Sequence, residues 1–399
     1  MISLGINGLG IANKAGSRPS LNLDFINSQI FDPRITFTRA STATRVNASG
    51  LIEVVASDSP RIDYDPVTLA PKGLLIEEQR TNLILMSEAV ATSPWFNSGL
   101  TSITNNTTDV TSPAGDNTAT KLVTTGTSSA FGQPLVLTAN NYTGSIWLRS
   151  SSGNISTQLI IYLGTSPFTN IGTQSITITT TWQRFTVKST TATAASYNLQ
   201  VNGIGAGTVY AWGAQLEAGS FATSYIPTTS AQTTRVSDNA AMTGTNFSSW
   251  YNQTEGAFLV NAYSPADRAT SGSFRSLLQA VKYATFNSDS LFFMKNSVGQ
   301  GSFTVRSNFT TDVALTSPVY GLTTIKAAGS YALNNFNYCA NGYDVYTDTL
   351  GNIPVNVDRL ILGAVGDNNV LGNLNGHISK LSYYPKRLTN SELQALTTG

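Results

Sequence analysis

The sequence predicts an all-β protein: two antiparallel β-sandwich domains, jelly-roll-like in pattern, behind an N-terminal attachment segment. Three observations carry this. Short β-branched and aromatic runs recur along residues 91–228 and again along 250–399, with turn residues between them. Only 11% of the 399 residues are charged, while Ser, Thr, Asn and Gly fill much of the rest, a mixture that suits sandwiches with many solvated turns. No long heptad run and no repeat of roughly 20–50 residues is visible, and helix is expected only at the very C-terminus.

Residues 1–33 read as a lead segment. Met1–Gly16 alternates small, apolar and glycine residues and has too few side chains to fold alone. It is either a free terminus or an anchor that orders against another protein. Residues 34–90 stand apart by charge: Arg39, Arg45, Arg61 and Arg80 interleave with Asp63, Asp65, Glu77 and Glu78 in a charge-poor chain. Arg39, Arg61 and Arg80 are expected to pair with Asp63, Asp65, Glu77 or Glu78, fixing the segment against itself or the next domain. Within it, Ile35–Thr38 and Leu51–Val55 read as strands, Asn47–Gly50 as a hairpin turn, and Asp65-Pro66 and Pro71–Gly73 as further turns.

Residues 91–228 carry eight candidate strands: Thr120–Thr124, Gln133–Leu137, Tyr142–Arg149, Thr157–Leu163, Gln174–Thr179, Gln183–Lys188, Tyr197–Val201 and Thr208–Leu216. Ser145–Arg149 and Phe185–Lys188 alternate with period two, as half-buried strands do. Strands without intervening helix suggest a two-sheet jelly roll. Residues 229–249 are small and polar and read as a linker. Residues 250–399 read as a second sandwich, with strands near Glu255–Val260, Leu291–Met294, Ser302–Arg306, Thr323–Ala328, Tyr338–Ala340 and Arg359–Gly363. Thr389 with Glu392 three positions on is a capping box that starts a short final helix, with Leu393 and Leu396 on one face.

The string FTRASTATRVNASGLIEVVASDSPRIDYDPVTLAPKGLLIEEQRTNLI, followed by SPWF, resembles a segment of bacteriophage head-spike and tail-fibre proteins that carry carbohydrate-binding-module-like jelly rolls. The run VYAWGAQLEAGSFATSYIPTTS is similar to the last strand and exit loop of those jelly rolls. Leu374–Leu388 resembles the closing strand of concanavalin-like, laminin-G-like domains. The resemblance implies a non-enzymatic virion spike or fibre protein, assembled in the host cytoplasm and exposed on the particle surface. Its partners would be other virion proteins (collar, baseplate or capsid) and a host-surface or environmental glycan. A homo-oligomer, most often a trimer, is implied, with the N-terminal end toward the particle. Two alternatives stay open: an architectural collar or capsid-decoration protein that binds only virion proteins, and a glycan-degrading tailspike.

Several chemistries find no support in the residues. A formal net charge of +1 cannot hold a phosphate backbone, so no nucleic-acid partner is expected. No window approaches a membrane span, and the N-terminus lacks a basic stretch before its apolar residues, unlike a secretory leader. Cys339 is the only cysteine, which removes intrachain disulfides and cysteine metal clusters. His377 is the only histidine, which weighs against a Ser-His-Asp triad and favours a structural or surface role. Glycoside hydrolysis needs two carboxylates across the scissile bond. Between residues 96 and 237 the acids are Asp109, Asp116 and Glu217, and beyond 239 the glutamates are Glu255 and Glu392, without the paired spacing required. Gly203–Gly207 precedes no helix and is a turn, not a phosphate loop.

No cofactor is expected apart from a structural calcium, for which Asp116 and the Gly366–Asn369 loop offer ligands. Sugar binding needs aromatic faces and planar polar groups. The candidates are Trp147, Arg149, Gln158 and Tyr162, joined by Asp367, Asn368 and Asn369 in the late loop. Tyr210 and Gln200 are secondary candidates, whereas Trp182 and Trp212 read mainly as packing residues.

Overall fold

The computed structural model describes residues 18–28, 31–126, 128–264, 274–283, 289–296, 299–318, 324–366 and 372–398. The protein is all-β, with antiparallel sheets, and its described helices are Thr245–Ser248 and Asn390–Thr397. The last begins as expected: Thr389 accepts from the Glu392 backbone N–H, and the Glu392 carboxylate accepts from that of Thr389.

The central sandwich has two five-stranded sheets. One runs in the order Gln183–Lys188, Tyr142–Ser150, Gly207–Ala218, Thr120–Thr124, Leu100–Thr104. The other runs Asn170–Ile178, Ile155–Leu163, Ala195–Ile204, Ser129–Leu137, Phe96–Ser98. Period-two alternation decides what each strand buries. Along Ile155–Leu163, Ile155, Thr157, Leu159 and Ile161 turn inward, while Ser156 and Gln158 are exposed. Along Ala195–Ile204, Tyr197, Leu199 and Val201 join the same core, which also takes Ile146 and Leu148 from the opposite sheet.

The second sandwich is larger than residues 250–399. Its eight-stranded sheet is built on Glu255–Tyr263, Thr324–Ala332 and Gly376–Tyr384, and Leu21–Asp24, Ile62–Tyr64 and Pro71–Ile76 complete it. Leu21–Asp24 pairs with Gly376–Tyr384, Leu21 opposite Tyr383, and Pro71–Ile76 continues along the same strand through Ile76 opposite Gly376. In its seven-stranded partner, Asn239–Thr243 lies between Thr36–Thr38 and Arg359–Leu362. The sheets close over one core that includes Leu23, Phe25, Phe37, Phe258, Phe293 and Tyr383. Gly329 allows the close approach: a β-carbon there would lie 2.7 Å from the Phe293 ring.

The jelly roll is therefore an insertion in the second sandwich. The chain leaves through Arg80–Asn82 and returns through Thr233–Arg235, and these two strands pair with each other. This corrects three expectations. The lead segment is partly structural: Leu21, Leu23 and Phe25 alternate into the core, although Met1–Gly16 lies outside the described residues. Residues 34–90 form no separate segment: Thr36–Thr38 extends one sheet of the sandwich and Ile62–Tyr64 and Pro71–Ile76 the other, while Ala43–Val46 and Ile52–Val55 pair as a hairpin of their own. Residues 229–249 are no linker: Ala240, Met242 and Phe247 are buried in its core. A small residue such as Ala240 fits between the packed sheets, with Ala241 on the opposite face, and their lack of bulk disguises the strand.

Two fragments should behave differently. Residues 83–229 expressed alone should fold, with a cooperative thermal transition. Residues 250–399 alone should not, because burying side chains such as Leu21, Phe25 and Phe37 is worth about 1.5–3 kcal/mol each and those partners would be missing. Circular dichroism and dispersed amide NMR signals check both.

Candidate functional site

The charged residues of the N-terminal segment meet where the two sandwiches join. Asp238 stands at the centre. Its Oδ1 accepts from Arg39 Nη1 at 3.0 Å, and its Oδ2 accepts from Arg61 Nη2 at 2.5 Å and from the Glu77 backbone N–H at 2.8 Å. Glu77 in turn pairs with Arg61 at 2.8 Å and Arg235 at 3.1 Å. It also accepts from the backbone N–H and the hydroxyl of Ser224, in the exit loop of the jelly roll. All five charged groups are buried. Burial pushes the Glu77 carboxyl up, but Arg235 and Arg61 outweigh it and hold the group well below its ordinary value. A neighbouring set joins Glu78 to Arg80 and Arg275, whose guanidiniums lie 4.8 and 5.3 Å from the Phe221 ring centroid.

Of the pairings expected from sequence, Arg61–Glu77 and Arg80–Glu78 form. Arg39 turns instead to Asp238, a residue assigned to the linker and never considered as a partner. Asp65 makes no ion pair among the described residues; it is a turn residue whose Oδ1 accepts from the backbone N–H groups of Val67 and Thr68. Asp63 meets His377, with Nε2 2.8 Å from Oδ2, while Lys72 Nζ stands 3.6 Å away. Burial lowers the His377 pKa below its ordinary 6.5. Burial pushes Asp63 up, yet the His377 bond, Lys72 and the Val46 N–H hold it below 3.8. The pair is accordingly neutral His377 donating Nε2–H to an ionised Asp63 whose charge Lys72 balances.

The four sugar-binding candidates of the jelly roll divide between its two outer faces. Trp147 and Arg149 lie on the sheet that faces the N-terminal segment. There Trp147 packs edge-on against Trp212 and Tyr225, at 5.4 and 5.6 Å between centroids, and this face is largely covered. Arg149 is partly buried opposite Tyr210. Gln158 and Tyr162 lie on the other, uncovered sheet. Registers place Gln158 between Ser175 and Asn202, and Tyr162 beside Asn198. Gln200 donates to Asn202 Oδ1 at 3.0 Å, and Gly132 opposite it contributes no side chain. Ser156, Gln158, Ser175, Thr177 and Asn202 line a depression of about 380 Å³. Further along the sheet, Tyr162 forms an edge-on pair with the exposed Phe168, 6.4 Å between centroids.

Asp367, Asn368 and Asn369 lie outside the described residues. Asp116 is engaged by the Ser112 and Thr118 hydroxyls, each at 2.6 Å. No group of three or more His, Cys, Asp or Glu side chains that could hold a metal occurs among the described residues. Sequence reasoning missed Asn198 and Asn202, although the alternation Ser196-Tyr-Asn-Leu-Gln-Val-Asn202 displays them on one face. It missed Asp238 and Arg235 because nothing local links them to residues far earlier in the chain.

No family model and no curated protein matches the sequence. Among solved structures, the chain is similar to the CBM40 of the Ruminococcus gnavus IT-sialidase bound to alpha2,3 sialyllactose, at 18% identity and TM-score 0.32, covering 37% of this chain and 84% of that one. It is similar to the NanB sialidase of Streptococcus pneumoniae at 14% identity and TM-score 0.32, covering 39% of this chain and 26% of that one. A structure described as "CBM4 structure and function" is similar at 19% identity and TM-score 0.26, covering 36% of this chain and 97% of that one. Likenesses of this size carry no argument about function.

Two measurements probe the junction. Asp238→Ala leaves the buried Arg39 without a carboxylate and Arg61 with Glu77 alone, and should cost roughly 3–5 kcal/mol in urea unfolding. The pH dependence has a definite sign. Below about pH 6.5 the unfolded chain takes up a proton on His377 that the folded chain refuses, so stability falls as pH drops from there. Glu77 and Asp63, held low in the fold, add a steeper loss below about pH 4.5. Melting temperatures should decline in both windows, and His377→Gln should flatten only the first.

Proposed function

We propose that the chain is a non-enzymatic attachment protein that holds glycans on the uncovered face of its inserted jelly roll. The carrying observation is that face itself. One sheet of the jelly roll is covered by the N-terminal segment, while the other presents Gln158, Asn202, Ser156, Ser175 and Thr177 around a depression, with the Tyr162–Phe168 pair further along the same sheet. Amides and hydroxyls match the donor and acceptor pattern of sugar hydroxyls, and aromatic rings match the apolar C–H face of a pyranose. The Gln158 side chain forms no hydrogen bond among the described residues, so its amide is available to a ligand.

The five strands of this sheet contain no Asp or Glu, which supports binding rather than hydrolysis. The resemblance to head-spike and tail-fibre proteins supports a place on the surface of a phage particle, held by other virion proteins. A trimer fits the same resemblance, since weak single sites gain from multiplicity. The architectural reading draws on a different feature: Leu333, Leu350 and Val355 are 60%, 75% and 49% exposed at the far end of the larger sandwich, as a contact between virion proteins would need.

A glycan array probed with the purified chain, followed by titration of the hits, tests the first reading. Gln158→Ala and Tyr162→Ala should each weaken binding by about tenfold, no new reducing ends should appear, and light scattering should give the mass of a trimer. Binding that ignores both substitutions, or steady release of oligosaccharide, would refute it. A monomer at micromolar concentration would remove the avidity argument.

A further inference from the structure

The junction between the sandwiches also encloses a cleft of about 700 Å³, within the usual range of small-ligand sites. The glycan-binding face does not reach it, being on the opposite sheet of the jelly roll. Trp147, Trp182 and Arg184 line it from the jelly roll, and Lys72, Asp63 and His377 from the larger sandwich. Trp182 donates its indole N–H to the Thr111 carbonyl at 2.8 Å, which fixes a half-buried ring beside the cleft.

The cations around the junction are not all in ion pairs. Four guanidiniums, of Arg39, Arg61, Arg184 and Arg235, and four carboxylates, of Glu77, Glu88, Glu217 and Asp238, surround it. Ion pairs join Asp238 to Arg39 and Arg61, and Glu77 to Arg61 and Arg235. Glu217 is held by neutral donors, the Gln215 amide and the N–H and hydroxyl of Thr223. Arg184 has no carboxylate partner among the described residues. It donates to the Thr223 carbonyl at 2.7 Å and Ser145 Oγ at 2.9 Å, and lies 4.4 Å from the Trp147 ring centroid. The other charges lining the cleft cancel: Lys72 balances Asp63, and Arg45 pairs with Glu53. Arg184 is thus the guanidinium of this set that forms no ion pair among the described residues, and it borders the cleft.

We propose that this cleft is a second ligand site and that it takes a saccharide bearing a carboxylate. The carboxylate supplies the charge that Arg184 lacks, and the sugar ring lies against Trp182. A neutral sugar would leave Arg184 without an ion-pair partner, whereas a carboxylate would add one at a partly buried charge. An extended peptide would seek a free strand edge. The strands bordering the cleft, Ala43–Val46 and Ile52–Val55, pair with each other. The Val46 N–H is already given to Asp63 and the Ile52 N–H to the Pro113 carbonyl.

Calorimetric titration of the full chain decides the matter, with trigalacturonic acid as the acidic probe, galactotriose as its neutral counterpart and N-acetyl-trialanine as the peptide carboxylate. The acidic sugar should bind at least about tenfold more tightly than either of the others. Arg184→Gln and Trp182→Ala should each weaken it by about tenfold or more. Because Arg184 also braces the Thr223 loop, Trp182→Ala and Lys72→Gln, at partly exposed side chains, test the site should Arg184→Gln fail to fold. Gln158→Ala, which disables the uncovered face, should leave the acidic titration unchanged, so failure of one site is distinguishable from failure of the other. Equal binding of the neutral sugar, tighter binding of the peptide, no heat up to about 10 mM acidic probe, or indifference to both Trp182→Ala and Lys72→Gln overturns the assignment.

Discussion

Asp238 holds the molecule together at its junction. A buried carboxylate is costly unless its oxygens are filled, and here two guanidiniums and a backbone N–H fill them. The donors come from three places: Arg39 ahead of the hairpin, Arg61 ahead of the edge strand, and Glu77 at the end of Pro71–Ile76. Glu77 passes the connection on to Ser224, and so to the jelly roll. One acceptor thereby ties the return strand, the N-terminal strands and the inserted domain into a single geometry. Buried ion pairs contribute little net stability against an apolar alternative. Their effect here is orientation: the distances close only with the sandwiches at one angle.

That fixed angle shapes both surfaces. It presses one sheet of the jelly roll against the N-terminal segment, so that Trp212 and Tyr225 become packing and Trp147 is only partly exposed. It leaves the other sheet bare, with amides and hydroxyls toward solvent. The cleft is the space that remains where the fit is incomplete, and Arg184 borders it without an ion pair among the described residues.

The strands of the jelly roll were legible because β-branched and aromatic runs recur between turn residues, with period-two alternation in Ser145–Arg149 and Phe185–Lys188. Tyr142–Ser150, Gln183–Lys188 and Gly207–Ala218 lie where the pattern puts them. The capping box of the last helix was equally legible, since it depends on two residues three apart. What local pattern could not convey was connectivity. Asn239–Thr243 is short and rich in alanine, so it reads as loop until two neighbouring strands bury it. The clustering of charge at residues 39–80 foretold an ion-pair network but not its centre, because Asp238 reaches it only after the whole jelly roll has intervened. The sugar-site candidates were chosen by residue type, and type does not reveal which sheet is covered; Trp147 and Gln158 therefore fell on opposite faces.

The insertion also sets an order for the chain's own synthesis. Asn22 and Ser382 touch across 360 positions. At ribosomal rates of about 5–20 residues per second, the first strand waits roughly twenty seconds to more than a minute for its partner. Throughout that interval Leu21, Leu23 and Phe25 lack the strand that covers them, while the jelly roll, whose strands are contiguous in sequence, is completed well before the interval ends. The nascent chain is thus a finished globule trailing a sticky, unpaired leader, and the larger sandwich can close only around it, as the last act of translation.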